Sequence, residues 1–119
     1  MAAPPTETVE YARLAVDVAA DKQASDILML DIRGVSDFAD YFVISTVESR
    51  RQMNALREDL EKALDDRGAV LHHREGADGG GWTLLDFGDL VVHLFGPEER
   101  AFYEIEAVWD KGVETVRVQ

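Results

Sequence analysis

The sequence predicts an α/β domain in which a mixed sheet of about five strands packs against helices. The first observation behind this is size, since 119 residues with 46% apolar and 30% charged residues suit one folded domain. The second is the order of hydrophobic patterns, which follow one another as helix, two strands, helix, strand, hairpin and helix. The chain has neither an internal repeat nor a linker, so residues 1–119 are predicted to form one domain, with a short variable tail from about residue 111.

The first third of the chain predicts a helix followed by two strands. Small apolar residues recur at helical spacing over residues 6–23. The short apolar run from Ile27 to Ile32 is typical of a buried strand. Residues 41–46, YFVIST, are rich in aromatic and β-branched side chains and predict a second strand, antiparallel to the first because the connection is short.

A second helix is predicted from Ser49 to Gly68. Ser49 and Gln52 have the spacing of a capping box, and an apolar face follows. This helix would form a right-handed crossover if the strands before and after it are parallel. Arg50 and Arg51 oppose the helix dipole, and both a solvated helix end and an unidentified role for them stay open.

The second half of the chain contains a predicted hairpin. Residues 69–75 predict a strand, and residues 76–81, GADGGG, predict a loop. Gly88 and Asp89 form a turn signal that joins strands over residues 82–87 and 90–95. The register places alternate residues on the core face, as the pairs Phe87–Leu90, Leu85–Val92 and Thr83–Leu94. The other face mixes large apolar and polar groups, namely Trp82, Leu84, Asp86, Val91, His93 and Phe95.

A last helix is predicted to begin at Pro97, since Glu98 and Glu99 in its first turn suit the helix dipole. One helical stripe is expected to be buried, and it consists of Phe102, Ile105 and Trp109. The neighbouring stripe is more polar and consists of Tyr103, Glu106 and Asp110. A short strand could follow at Val113 to Val118.

Several kinds of chemistry find no support in the sequence. There is no cysteine, no nucleophile elbow, no Walker loop and no dinucleotide fingerprint. His72 and His73 are adjacent, so on a strand they would point to opposite faces and could not simply share a metal ion. Asp86 and Asp89 are three positions apart across a turn, which does not suit the metal-binding carboxylate pair of a nucleotidyltransferase. We therefore expect no catalytic site, no metal and no cofactor.

The charge of the chain indicates the kind of partner it would bind. Twelve basic residues against 24 acidic ones give a formal net charge of −12, which repels nucleic acid and anionic lipid. No apolar run is long enough to span a membrane, and a cytoplasmic protein is expected. Trp82 and Tyr103 lie on the more polar stripes of their elements, where aromatic residues often anchor protein interfaces. A basic macromolecular partner is the resulting prediction.

Four segments in this order resemble the Iojap-like ribosomal silencing factor family, RsfS, over about residues 9 to 110. They are DIRGVSDFADYFVIST, SRRQ at the start of a helix, WTLLDFGDLVVHLF, and ERAFYEIEAVW. The resemblance implies a nucleotidyltransferase-like fold without catalytic acids. It also implies binding to ribosomal protein fourteen of the large (50S) subunit, which would block joining of the small subunit and repress translation. Assistance in large-subunit maturation is a further role that the resemblance implies.

Carried onto this sequence, the resemblance implies two groups of partner-binding residues. One is in the hairpin and consists of Trp82, Phe87, Gly88 and Asp89. The other is in the last helix and consists of Tyr103, Glu104 and Glu106. Relatives often have a glycine where this chain has Val47 and Glu48, so another turn conformation is expected there.

Two alternatives stay open. One is a nucleotidyltransferase-like enzyme with an unrecognised site, because the chain is rich in carboxylates. The other is a dimerisation module, because the mixed face of the hairpin could pair with a second copy and give a homodimer of the free protein.

Overall fold

The computed structural model describes residues 8–76, 81–108 and 112–118. The helices in these ranges are α1 (Thr8–Asp21), α2 (Arg50–Asp66), α3 (Pro97–Tyr103) and α4 (Ile105–Val108). The strands are β1 (Ser25–Asp31), β2 (Tyr41–Thr46), β3 (His73–Glu75), β4 (Trp82–Asp86), β5 (Leu90–Phe95) and β6 (Val113–Val118). The predicted α/β class with a mixed sheet is confirmed.

The described strands form one sheet in the order β3-β4-β5-β2-β1-β6. β2 and β5 are parallel, and the other neighbouring pairs are antiparallel. The sheet has six strands rather than about five, because β6 pairs with β1. β2 and β3 run in the same direction, as the crossover requires, but β5 and β4 lie between them.

The hairpin register is the predicted one. Leu85 pairs with Val92 and Thr83 with Leu94, and the Phe87 N–H donates to the Leu90 carbonyl at 2.9 Å. The strand predicted over residues 69–75 is shorter, because only His73–Glu75 pairs with β4. Residues just after α2 are used to end that helix instead, since the Ala69 N–H donates to the Leu64 carbonyl at 3.0 Å.

One face of the sheet is covered by α1 and α2. The predicted apolar face of α2 is fully buried in this core layer, and it consists of Met53, Leu56, Leu60 and Leu64. The Gln52 N–H donates to the Ser49 hydroxyl at 3.1 Å, which confirms the N-cap. The Gln52 side chain accepts from the Glu48 N–H at 2.7 Å and donates to the Lys22 and Gln23 carbonyls. This cap therefore also joins the start of α2 to the α1–β1 turn.

The other face of the sheet carries a second, smaller core layer. Its buried residues come from β1, β2, β5 and the β1–β2 connection, and they are Leu28, Leu30, Ile32, Ala39, Phe42, Ile44, Val91 and Phe95. Trp82, Leu84 and Ile105 pack against it from above. The hairpin face expected to be mixed is therefore largely a core face.

The last helix departs from the prediction. It ends at Tyr103, and Glu104 takes a left-handed conformation with φ 44° before α4 begins. The break changes the helical phase between Phe102 and Ile105, so the two residues do not share one buried stripe. Phe102 is 80% exposed, and the prediction that it belongs to the buried stripe is wrong. Ile105 is partly buried as expected, and Trp109 and Asp110 lie outside the described residues.

Candidate functional site

Three aromatic rings form a cluster at one end of the sheet, which we call the aromatic patch: the partly buried Trp82 and the exposed Phe102 and Tyr103. The ring centroids of Trp82 and Tyr103 are 4.7 Å apart, and Phe102 meets Tyr103 edge-on at 5.0 Å. Tyr103 is 45% exposed and Phe102 80%. Large aromatic side chains left in solvent beside one another are typical of a protein-binding surface.

The hairpin and α3 together build this patch. Trp82 begins β4 and lies opposite Phe95 at the end of β5, where their rings stack at 5.1 Å. Gly96 then donates its N–H to the Gly81 carbonyl at 2.8 Å, and Pro97 begins α3. Because α3 follows β5 so directly, it carries Tyr103 back over Trp82.

A buried histidine supports the indole from below. The Trp82 Nε1–H donates to His93 Nδ1 at 3.2 Å, and the Phe42 ring meets His93 edge-on at 4.8 Å. Since Nδ1 accepts, the neutral ring carries its proton on Nε2, which has no hydrogen-bond partner among the described residues. Burial lowers the pKa of His93 to about 4, so the ring is neutral near pH 7.

The two acidic residues expected beside Tyr103 differ in their surroundings. Glu104 is exposed at the left-handed corner between α3 and α4. Glu106 is partly buried and accepts from Arg100 Nε at 3.1 Å. Glu104 is therefore available to a partner, whereas one oxygen of Glu106 is already bonded within the molecule.

The predicted residues of the hairpin turn lie at the opposite end of β4. β4 is five residues long, so this turn is roughly 17 to 20 Å from Trp82. Phe87 is only 8% exposed and belongs to the core layer under α1 and α2. Gly88 has φ 89° and donates its N–H to Asp86 Oδ1 at 2.7 Å, and Asp89 is exposed. The structure thus divides the predicted residues between two ends of one hairpin.

One exposed aromatic residue near the turn, Phe38, is not among the predicted site residues. Phe38 is 60% exposed in the β1–β2 connection. The connection lies against the hairpin turn, because the N–H groups of its last residue, Asp40, and of Tyr41 at the start of β2 both donate to the Asp89 carbonyl. An aromatic residue between acids in a short connection, as in DFAD, was the available signal.

The described residues give little support to catalysis or metal binding. They contain no group of three or more His, Cys, Asp or Glu side chains placed to hold a metal ion. The Asp86 carboxylate stabilises the turn by accepting from Gly88. Among the helices that the structure describes, none is both long and apolar enough to cross a membrane.

Arg50 lines a cleft of about 500 Å³ between the starts of α2 and α3. Three carboxylates share this cleft, those of Glu48, Glu98 and Glu99. Within the described ranges, neither Arg50 nor Arg51 forms an ion pair. The arrangement fits two solvated arginines and identifies no ligand.

The sequence matches one known protein family over nearly its whole length. The family model described as "Ribosomal silencing factor during starvation" matches residues 5–119. The chain belongs to the RsfS family. It is 39% identical over 97 residues to ribosomal silencing factor RsfS of Bacillus subtilis, an alignment that covers 82% of each protein.

More distant and structural relatives agree with membership of the RsfS family. The mouse protein named mitochondrial assembly of ribosomal large subunit protein 1 is 34% identical, over 79% of this chain and 42% of that protein. A crystal structure of a Chromobacterium violaceum protein is 32% identical and superposes with a TM-score of 0.85, covering 94% of this chain and 92% of the other.

Proposed function

We propose that this RsfS-family chain binds the large ribosomal subunit and represses translation by preventing the small subunit from joining. The observation that carries the proposal is the aromatic patch, in which Tyr103 lies over Trp82 beside the exposed carboxylate of Glu104. The mechanism is steric exclusion and needs no chemical step.

The proposed partner is ribosomal protein fourteen of the large subunit. A net charge of −12 favours a basic protein, and long-range attraction would mainly raise the association rate. Trp82, Tyr103 and Glu104 would form one side of the contact. A standard interface covers about 800 Å² on each partner, a disc roughly 30 Å across, so it can also include Gly88 and Asp89. Phe87 would support the turn from the core, and Glu106 would support the patch.

A role in large-subunit maturation is a second part of the proposal. The name of the mouse relative refers to assembly of the ribosomal large subunit. A protein that covers the joining face of an immature subunit would also keep that particle out of translation. We place the bacterial form of this activity in the cytoplasm, and a homodimer of the free chain would cover the same apolar rings.

Sedimentation of the chain with purified large subunits through a density gradient tests the proposal. We expect the unmodified chain to co-migrate with large subunits and Tyr103→Ala to remain near the top of the gradient. Val70→Ala is the matched control, because Val70 is also an exposed apolar residue but lies just after α2. Equal co-migration of a folded Tyr103→Ala variant would contradict the proposed surface.

No observation in the described residues favours the alternative of a nucleotidyltransferase-like enzyme. The relatives named above are called silencing or assembly proteins. Incubation of the purified chain with nucleoside triphosphates and magnesium would reveal product if an enzymatic site existed, and we expect none.

A further inference from the structure

A buried arginine lies beneath the corner between α3 and α4. Arg100 is only 6% exposed although it carries a full positive charge. Its position in α3 is three residues before Tyr103, and the Glu104 N–H donates to its carbonyl at 3.1 Å. A charge is rarely buried in a small domain unless partners compensate it.

The Arg100 guanidinium bonds to three different elements. Nε donates to Glu106 in α4 at 3.1 Å. Nη1 donates to the Asp26 carbonyl in β1 at 2.8 Å and to the Thr46 hydroxyl at the end of β2 at 2.9 Å. Nη2 lies 3.5 Å from an Asp26 carboxylate oxygen. One side chain therefore joins the α3–α4 corner to two strands of the sheet.

The backbone at both ends of this network is unusual. Glu104 and Asp26 have φ of 44° and 47°, a left-handed conformation that residues with a Cβ rarely adopt. The Asp26 carboxylate is also held by Arg117 Nη1 at 2.6 Å. Such conformations persist where surrounding contacts determine them. The Arg100 guanidinium contacts Asp26 directly and reaches the corner at Glu104 through Glu106, while the Arg100 main-chain carbonyl accepts from the Glu104 N–H.

We infer that Arg100 is the positioning residue of the aromatic patch. Its guanidinium fixes the corner that places Tyr103 on Trp82 and leaves Glu104 in solvent. Glu106 acts as its counterion and is a positioning residue as well, rather than a principal partner contact. The effect of Arg100 on ribosome binding rests on the proposed function, whereas its effect on the patch concerns the free protein.

The contacts made at position 100 require a guanidinium, and a lysine ammonium cannot replace it. The bonds of Arg100 leave from Nε and Nη1 in separate directions, toward α4 and toward the strands. A lysine ammonium is a single point at the end of a flexible chain and cannot occupy both places. Arg100→Lys therefore keeps the positive charge but cannot hold the α3–α4 corner in place.

The first experiment uses fluorescence of the free protein. In a Trp109→Phe background, Trp82 is the only one of the two tryptophans left. We expect Arg100→Gln and Arg100→Lys to shift the Trp82 emission to longer wavelength and to increase its quenching by acrylamide, because Tyr103 no longer covers the indole. Arg57→Gln is the matched control, since Arg57 is a mostly buried arginine paired with Glu61 at 2.9 Å on α2.

The second experiment is a double-mutant cycle of binding to large subunits. We expect Arg100→Gln to weaken binding about tenfold or more, and to add little in a Tyr103→Ala background, because residues that act through one another are not additive. A merely structural role would instead weaken both backgrounds equally. Arg57→Gln should retain affinity at temperatures where it is folded.

The outcomes separate the two claims. Unchanged Trp82 emission in Arg100→Gln, or additive effects in the cycle, would overturn the inference. Absence of binding by the unmodified chain would overturn the proposed function, while the emission spectra would still decide the role of Arg100. If Arg100→Gln does not fold, Thr46→Val and Glu106→Ala remove single bonds of the same network and should shift the emission in the same direction.

Discussion

The indole N–H of Trp82 donates to Nδ1 of His93 at 3.2 Å, and this bond joins an outward-facing ring to a buried one. The imidazole must stay neutral to accept it, since a protonated ring has donors only. The aromatic patch therefore includes a hydrogen bond that can form only while His93 is neutral.

Acid is predicted to destabilise the protein through His93. Its pKa is about 4 in the fold against 6.5 for the free group, so between these values the unfolded chain binds a proton that the folded chain does not. This contribution is fully present above about pH 6.5 and is lost as the pH falls to about 4, by up to about 3 kcal/mol. Urea unfolding at a series of pH values measures it.

The matched variant for this measurement is His93→Gln. Its amide oxygen can still accept from Trp82 but does not titrate. The difference between the two stability curves isolates His93 from the many carboxylates that titrate in the same range. Parallel curves between pH 4 and 6.5 would contradict the assignment.

The N-cap of α2 predicts a second stability effect. Ser49→Ala removes the acceptor of the Gln52 N–H and should lower the free energy of unfolding by about 1 kcal/mol. Ser49→Asp keeps an acceptor at the cap and should lose little. Thermal unfolding followed by circular dichroism distinguishes them, and equal losses would argue against a capping role.

The structure predicts that replacing Gly88 in the hairpin turn by alanine lowers stability, whereas replacing Gly34 does not. Gly88 has φ 89°, and a Cβ there would lie 3.3 Å from His72 Nε2, so Gly88→Ala should cost about 1 kcal/mol or more. Gly34 has no atom within 4 Å of its would-be Cβ, and Gly34→Ala should be neutral or slightly stabilising. Denaturant unfolding of both variants checks the contrast, and equal stability of the two would be the contrary result.

Sequence patterns were sufficient where structure is set by near neighbours. Strict alternation on both sides of Gly88 predicted the hairpin register, and Ser49 with Gln52 predicted the start of α2. These patterns did not predict the helix break at Glu104, because a glutamate side chain does not favour the left-handed backbone conformation. The break there is held by Arg100, whose partners Asp26 and Thr46 are 74 and 54 residues away along the chain.

The same limit applies to the candidate site. Trp82 and Tyr103 were predicted from their polar stripes, and the structure brings their rings together. Alternation along the hairpin also placed Phe87 on the core face, which the structure confirms. The sequence could not show that Glu106 is bonded to Arg100, since that bond depends on how α3 and α4 are placed relative to each other.

Salt should weaken the proposed ribosome binding mainly by lowering the association rate. Because the chain carries a net charge of −12, raising the ionic strength should lower the association rate more than it raises the dissociation rate. Glu104→Gln should reduce the association rate modestly, and Asp65→Asn, an exposed acid at the end of α2, should have a smaller effect. Stopped-flow mixing with labelled large subunits gives both rates, and an association rate independent of salt would contradict electrostatic steering.

The most direct test of the account is the joining of purified large and small subunits, followed by light scattering in the presence of the chain. We predict that the unmodified chain lowers the yield of joined particles in proportion to its binding to large subunits. A folded Trp82→Ala, Tyr103→Ala double variant should leave joining unimpaired. Undiminished joining at saturating unmodified chain, or equal inhibition by the double variant, would contradict the account.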